Sequence, residues 1–323
     1  MSSLLDINNL HVHYNTFEGT VKAVNGLSLN LDKKETLGLV GETGAGKTTT
    51  ALAVMQLISQ PPGKIEEGEI NFRGKDIRKM NETEMKLIRG NEISMIFQDP
   101  MTSLNPVISV GLQIAEVIEA HEKVGRDEAM KKAAEMLEKV QIPGQRVHEY
   151  PHEFSGGMRQ RVGIAMALAC NPQMIIADEP TTALDVTIQA QVLELMNNLK
   201  DEYSTAMLMI THDLGVVGEV CDRVAVMYAG EIVEEGTLEQ IFNKALHPYT
   251  QGLFKCIPDI EAKNTKVYPI KGLMPDPVNL PTGCYFSPRC DKVMDICRKK
   301  KPTVRRVDGQ LVRCHLYDGE EGE

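Results

Sequence analysis

Residues Gly41-Glu42-Thr43-Gly44-Ala45-Gly46-Lys47-Thr48 fit the pattern Gly-x-x-x-x-Gly-Lys-[Ser/Thr]. They lie between a buried apolar run, Thr36 to Val40, and a helical pattern from Thr49 to Ile58. A strand that passes through such a turn into a helix constrains the fold more than any other segment of this chain. Glycines let backbone N–H groups turn inward around a β-phosphate. The following helix directs its positive end at the same anion. Lys47 then reaches the β- and γ-phosphates, and Thr48 offers a hydroxyl to Mg²⁺. A chance glycine-rich turn is the alternative, and the flanking strand and helix argue against it.

The rest of the chain alternates in the same way. Leu10 to Tyr14 alternates apolar and polar residues like a half-buried strand, and Glu69 to Gly74 reads as a short strand and turn. Ile93 to Phe97, Met174 to Ala177, Ala206 to Ile210 and Val224 to Met227 read as strands, with helices predicted at Met158 to Cys170 and Val186 to Tyr203. This alternation predicts an α/β fold with a parallel sheet. Gly111 to His121 and Arg126 to Val140 carry helical spacing, so Asp99 to about Glu153 reads as a helical insertion. Beyond Leu246, Pro248, Pro258, Pro269, Pro275, Pro277, Pro281 and Pro288 break long elements, which predicts a small irregular tail in need of a staple.

Composition narrows the class. The 323 residues are 42% apolar, enough for a large core, and the net charge of −10 argues against general nucleic-acid binding. No apolar run is long enough to span a bilayer, and Met1 to Leu10 has neither a basic start nor a long apolar core, so a cytosolic chain without a signal peptide is expected. Seven cysteines then do not predict a disulfide framework, and Cys170, Cys221 and Cys256 read as incidental thiols.

A second phosphate-binding half follows the first. In Phe154-Ser155-Gly156-Gly157-Met158-Arg159-Gln160-Arg161, Ser155 is placed as an N-cap, and its hydroxyl with the nearby N–H groups suits a γ-phosphate. A compact chain is not expected to offer both halves to one ATP. The pair therefore predicts two such subunits facing head to tail with ATP between them. Asp178 and Glu179 follow the Met174 to Ala177 strand, at the carboxyl end where α/β folds bind ligands. Asp178 is expected to hold the Mg²⁺ water shell and Glu179 to polarise the attacking water. Gln98 and His212 end two further strands, as a Mg²⁺ ligand and a γ-phosphate donor. Either residue alone reads as polar surface. Four candidate groups at strand ends of one predicted sheet make the set credible.

These residues resemble the ATP-binding subunit of an ABC transporter, over about Leu4 to Gly236. The resemblance implies a P-loop ATPase core, with a RecA-like parallel sheet and an N-terminal antiparallel part. It implies residues 1–98 and 160–245 as that core, 99–159 as a helical signature subdomain and 246–323 as a Cys-rich C-terminal domain. Tyr14 matches the aromatic that stacks on adenine, Gly41–Thr48 with Thr49 the Walker A loop, and Gln98 the Q-loop. Phe154–Gln160 matches the signature motif, Met174–Glu179 the Walker B strand, Asp185 the D-loop and His212 the switch histidine. Met158 stands where most of the family has Gln, which removes one polar contact to the nucleotide of the facing subunit.

A narrower resemblance covers nearly the whole chain. Gln98 to Pro106, Tyr150 to Arg161, His247-Pro248-Tyr249-Thr250 and Gly283 to Cys290 are similar to the dipeptide/oligopeptide permease ATPases. That group implies a second, non-identical ATPase subunit, two transmembrane permease subunits, a solute-binding protein outside the membrane, and a position at the cytoplasmic face. Nickel chelates and some sugars use similar subunits. A soluble ABC ATPase acting on nucleic acid or ribosomes is a competing reading. The single motif set and an insertion of about fifty residues without heptads argue against it.

The tail spaces four cysteines as Cys284-x5-Cys290-x6-Cys297-x16-Cys314. The shortest gap exceeds the spacing usual in structural zinc sites. Four thiolates on irregular loops suit a 4Fe–4S cluster, which the resemblance also implies; zinc is the second reading and free thiols the third. Arg289, Lys292, Arg298 to Lys301, Arg305, Arg306 and Arg313 are expected to offset thiolate charge. The tail lies far in sequence from the ATP motifs, so no electron transfer in the ATPase cycle is expected, and nucleotide binding by Gly41–Thr48 is expected to persist, independent of the tail, when one of the four cysteines is lost.

Overall fold

The computed structural model describes residues 3–99, 103–182, 184–256 and 269–319. Pro100, Met101 and Thr102 of the Gln98 to Pro106 segment, Ala183 before Leu184-Asp185, and Pro258 of the tail lie outside the described residues. The chain divides into two compact units. One comprises Met1–Leu4, Leu31–Thr36 and Asp76–Thr211, the other Leu5–Asn30, Leu37–Lys75 and His212–Glu323.

In the first unit, strands Ile93–Ile96, Met174–Asp178 and Ala206–Thr211 run parallel, with Ile93 beside Met174, Ala177 beside Met209 and Asp178 beside Ile210. Met174–Asp178 and Ala206–Thr211 are buried along their whole length, as parallel strands covered on both faces must be. Their carboxyl ends deliver Gln98, Asp178 and Glu179 to one edge. Helices Val110–His121 and Arg126–Lys139 bury Ile114, Ala115 and Ile118 on one, and Ala129, Ala133 and Leu137 on the other, at helix spacing. Helix Gly156–Leu168 starts at Ser155, whose hydroxyl accepts from the Met158 N–H at 3.4 Å. Helix Val186–Tyr203 starts at Asp185, whose Oδ1 accepts from the Ile188 N–H at 3.0 Å.

In the second unit, Leu5–Thr16 pairs antiparallel with Gly63–Phe72, from Leu5 opposite Phe72 to Tyr14 opposite Gly63. Gly19–Leu31 lies on the other side of Leu5–Thr16. Thr36–Val40 runs parallel to Arg223–Tyr228, and Glu231–Thr237 then pairs antiparallel with that strand. Helix Lys47–Val54 follows the phosphate loop.

The tail is less irregular than its prolines suggest. Pro248 opens helix Pro248–Lys255, because the first helical position needs no N–H and proline's fixed φ suits it. Strands Val304–Val307 and Gln310–Arg313 form a hairpin that joins Glu231–Thr237, with Val312 opposite Glu234. Tyr228, Tyr249 and Phe286 pack together with ring centroids 4.6 to 5.4 Å apart. Such aromatic pairs add about 0.5–1.5 kcal/mol each beyond the area they bury.

Candidate functional site

The catalytic candidates of the first unit meet at Glu179. Gln98 Nε2 donates to Glu179 Oε2 at 2.9 Å, and Thr182 Oγ1 donates to the same oxygen at 3.0 Å. Glu179 adopts a left-handed φ of +47°, unusual for a residue with a side chain, and its N–H donates to the Ile210 carbonyl at 2.8 Å. The preceding residue, Asp178, is 2% exposed at the strand terminus. Thr182 was absent from the sequence-read set. Its signal was local, a hydroxyl three residues after Glu179 in a turn whose Thr182 N–H returns to the Glu179 carbonyl at 3.1 Å.

Ser155 and Gly156 are exposed at a helix start. Gly157 is half-buried, and a Cβ there would lie 2.5 Å from Ile188 Cγ2, so the Ser-Gly-Gly turn sits tightly on the helix that Asp185 caps. Arg146 Nη1 donates to Met158 Sδ at 3.5 Å.

In the second unit the phosphate loop is built as its motif predicts. Gly46 has φ +105°, and a Cβ there would lie 2.4 Å from the Ala23 carbonyl oxygen, so only glycine fits. Lys47 is 6% exposed, and its Nζ donates to the carbonyls of Gly41 at 2.7 Å and Glu42 at 3.1 Å. Gly44 also takes a left-handed φ, Ala45 is buried, Thr43 and Thr48 are exposed, and Thr49 is half-buried. Tyr14 is half-buried, its ring against Gly63. His212 is exposed directly after Ala206–Thr211. In the first unit Asp178 and Gln98 offer carboxylate and amide oxygens, and in the second Thr48 offers a hydroxyl. The Gln98 bond to Glu179 runs through Nε2, not the amide oxygen.

The tail's thiols gather without closing into a ligand set. Burial pushes the Cys284 thiol up to about 12 and the Cys314 thiol up to about 11; Cys314, Cys297 and Cys290 push Cys284 further in that direction, and Cys290 and Cys297 do the same to Cys314. Cys290 is raised by burial and by Cys297. The Cys284 N–H donates to the Cys297 carbonyl at 2.8 Å, and a Cβ on Gly283 would lie 2.2 Å from that same oxygen, so a glycine is required at the crossing. Among the described residues, no group of three or more His, Cys, Asp or Glu is arranged to hold a metal ion. The four sulfur donors fit a thiolate-ligated group chemically, and ligation requires their side chains to converge further. Two of the basic residues have carboxylate partners instead of thiols. Arg289 pairs with Glu42 at 2.6 Å and Lys301 with Glu231 at 2.8 Å, while Lys292 is near enough to Cys290 to pull its thiol downward.

Sequence reasoning also missed Tyr249 and Arg289, which hold Glu42 from the tail. The signal was Glu42 itself, because a carboxylate inside an anion-binding loop calls for a cation. Burial pushes the Tyr249 phenol upward and pushes His247 down to about 3.

A family model described as ABC transporter matches residues 24–182, and one described as oligopeptide/dipeptide transporter, C-terminal region, matches residues 233–297. The chain is 50% identical over 326 residues to the oligopeptide transport ATP-binding protein AppD of Bacillus subtilis, covering 100% of this chain and 99% of the relative. It is 48% identical to the dipeptide transport ATP-binding protein DppD of Bacillus subtilis, covering 98% of this chain and 96% of the relative. Among solved structures it is similar to the ATP-binding cassette MJ0796, a dimer in a post-hydrolysis state bound to ADP and Pi. That match has 27% identity and a TM-score of 0.65 over 72% of this chain and 98% of the cassette.

Proposed function

The chain belongs to the ABC transporter family, among the ATP-binding subunits of oligopeptide and dipeptide transporters, and from that premise we propose that it hydrolyses ATP to power import of dipeptides and oligopeptides across the cell membrane. The observation that carries the peptide assignment is the likeness beyond the cassette, through residues 233–297 and along nearly the full length of the relatives.

Lys47 and the N–H groups of Gly44 to Thr48 bind the β- and γ-phosphates, with Glu42, Thr43 and Thr49 shaping and flanking the loop. Tyr14 stacks on adenine. Thr48, Gln98 and Asp178 would hold Mg²⁺, which neutralises phosphate charge when bound. Glu179 orients and polarises the attacking water, and the Gln98 and Thr182 bonds fix its carboxylate. His212 donates to the γ-phosphate. Ser155, Gly156, Gly157, Met158 and Asp185 complete the nucleotide site of a second, homologous ATPase subunit. The natural pair is a heterodimer, and a homodimer is the expected stand-in when this chain is alone with ATP. ATP binding closes the pair, closure turns two transmembrane permease subunits outward, and hydrolysis releases it. The permeases dock on the helical part, residues 99–159. A solute-binding protein delivers peptide from outside. Among the described residues no helix is long and apolar enough to cross a membrane. The chain sits at the cytoplasmic face, attached through the permeases.

Uptake of labelled dipeptides and oligopeptides by cells lacking this chain tests the reading. Uptake is expected to be lost, to return with the wild-type chain and to stay lost with Glu179→Gln. Unchanged peptide uptake with loss of nickel-chelate or oligosaccharide uptake would assign the chain to another cargo.

We also propose that Cys284, Cys290, Cys297 and Cys314 hold a 4Fe–4S cluster that orders the tail. The all-sulfur donor set and the mutual effect of the thiols support it. Anaerobic purification with iron, sulfide and zinc assays is expected to give brown protein with about four irons and four sulfides per chain. One zinc per colourless chain would replace the cluster with the zinc reading, and metal-free protein would remove both.

A further inference from the structure

Glu42 places a carboxylate in a loop whose other groups gather for an anion. A fixed negative charge there opposes an incoming polyphosphate. The tail answers it. Arg289 Nη1 and Nη2 donate to the two Glu42 oxygens at 2.6 and 3.0 Å, a bidentate fork. The Arg289 side chain is 5% exposed and Glu42 31%, so the pair is shielded on the arginine side. Arg289 is itself fixed, with Nε donating to the Lys271 carbonyl at 3.0 Å and Nη1 to Tyr228 Oη at 3.4 Å. The backbone of the same residue is also held, because the Glu42 N–H donates to Tyr249 Oη at 3.0 Å. Both ends of Glu42 are therefore fixed by residues that follow residue 246. Lys47 in turn donates to the Glu42 carbonyl, so a shift of Glu42 moves one of the two carbonyls that aim the lysine. Arg289 directly precedes Cys290, and its N–H donates to the Phe286 carbonyl at 3.0 Å, on a loop seated against Tyr228 and Tyr249.

We propose that Arg289 and Tyr249 are positioning residues that clamp the phosphate loop: Arg289 neutralises Glu42, Tyr249 holds its backbone, and nucleotide affinity thereby depends on the order of the Cys284 to Cys290 loop. The proposal rests on the reading of Gly41–Thr48 as the ATP phosphate site. It replaces the expectation of a tail independent of nucleotide binding.

The test is equilibrium binding of a fluorescent ATP analogue with Mg²⁺ to the full chain, with KM and kcat for ATP measured beside it. Arg289→Met is expected to raise Kd roughly tenfold or more, as loss of a hydrogen-bonded charge partner does. KM is expected to rise with it, while kcat at saturation holds. Glu42→Gln combined with Arg289→Met is expected to bring Kd back to within about threefold of Glu42→Gln alone, since the charge needing a partner is gone. Tyr249→Phe is expected to raise Kd by less than Arg289→Met. A wild-type Kd in Arg289→Met overturns the clamp. A loss that Glu42→Gln does not rescue overturns it too, and marks Arg289 as a folding contact. A wild-type chain that binds no nucleotide overturns the underlying ATP reading together with the clamp.

Discussion

Glu179 is held by more than its place in the sequence. Its φ of +47° is a conformation that a residue with a side chain adopts only where its surroundings enforce it. Gln98, Thr182 and the Ile210 carbonyl provide that enforcement. Glu179→Gln keeps the shape and removes the proposed base, so turnover is expected to fall by about 10²-fold or more while MgATP binding persists, measured by steady-state hydrolysis beside equilibrium binding. Lys47→Ala is expected to do the reverse, weakening binding first. His247 gives a second prediction. Its ring is buried, Nδ1 accepts from the Tyr249 N–H at 3.1 Å, and burial lowers its pKa from 6.5 to about 3. The unfolded chain takes up that proton near pH 6.5 and the folded chain only near pH 3, so between these values the unfolded state binds more protons. The contribution is complete above pH 6.5 and is lost as pH falls toward 3. Glu234, which accepts from the His247 N–H, has its carboxyl pushed upward by burial and acts in the opposite sense above 4.5. Thermal melts at falling pH are therefore expected to show a loss of stability from pH 6.5 downward that His247→Gln reduces.

At the scale of elements, Gly157 sets how closely the helix that begins at Gly156 approaches Val186–Tyr203. Gly157→Ala puts a Cβ 2.5 Å from Ile188 Cγ2, and it is expected to destabilise the fold by about 1–3 kcal/mol in denaturant melts and to misalign the exposed Ser155. Cys290→Ser is expected to raise the nucleotide Kd in the same direction as Arg289→Met, because it loosens the loop that carries Arg289.

The elements differ in how plainly the sequence announced them. Val186–Tyr203 was legible to the residue, since Asp185 caps it and no Gly or Pro interrupts it. Thr36–Val40 was equally legible as an apolar run into a phosphate loop. The next helix runs Lys47–Val54 rather than from Thr49 to Ile58, because it begins inside the motif and aims its first N–H groups into the loop. Glu231–Thr237 was illegible because three glutamates read as solvated surface. In the fold each has a partner, Lys301 for Glu231, the His247 N–H for Glu234 and Arg223 for Glu235. The tail hairpin did carry a signal in Asp308-Gly309, whose φ values of +47° and +83° suit a tight two-residue turn. Basic and proline-rich neighbours obscured it. At the site, motif residues were legible because their spacing is fixed along the chain. Tyr249 and Arg289 were not, because tertiary proximity alone gives them Glu42, and Thr182 was not, because its local turn onto Glu179 belongs to no fixed motif spacing.

For the molecule as a whole, the exposed Ser155–Gly156 helix start is proposed to act on a subunit outside this chain. A tagged copy purified from its own membranes is expected to bring a second ATPase subunit and two permeases, and to leave them in detergents that dissociate peripheral proteins. The most direct measurement is transport by that complex in sealed vesicles. ATP is supplied on the side that carries this chain, and labelled oligopeptide with its binding protein on the other. Peptide is expected to accumulate on the ATP side only while ATP is hydrolysed, and a complex carrying Glu179→Gln is expected to bind ATP yet move none. Peptide accumulation that is indifferent to ATP or to Glu179→Gln would contradict the account.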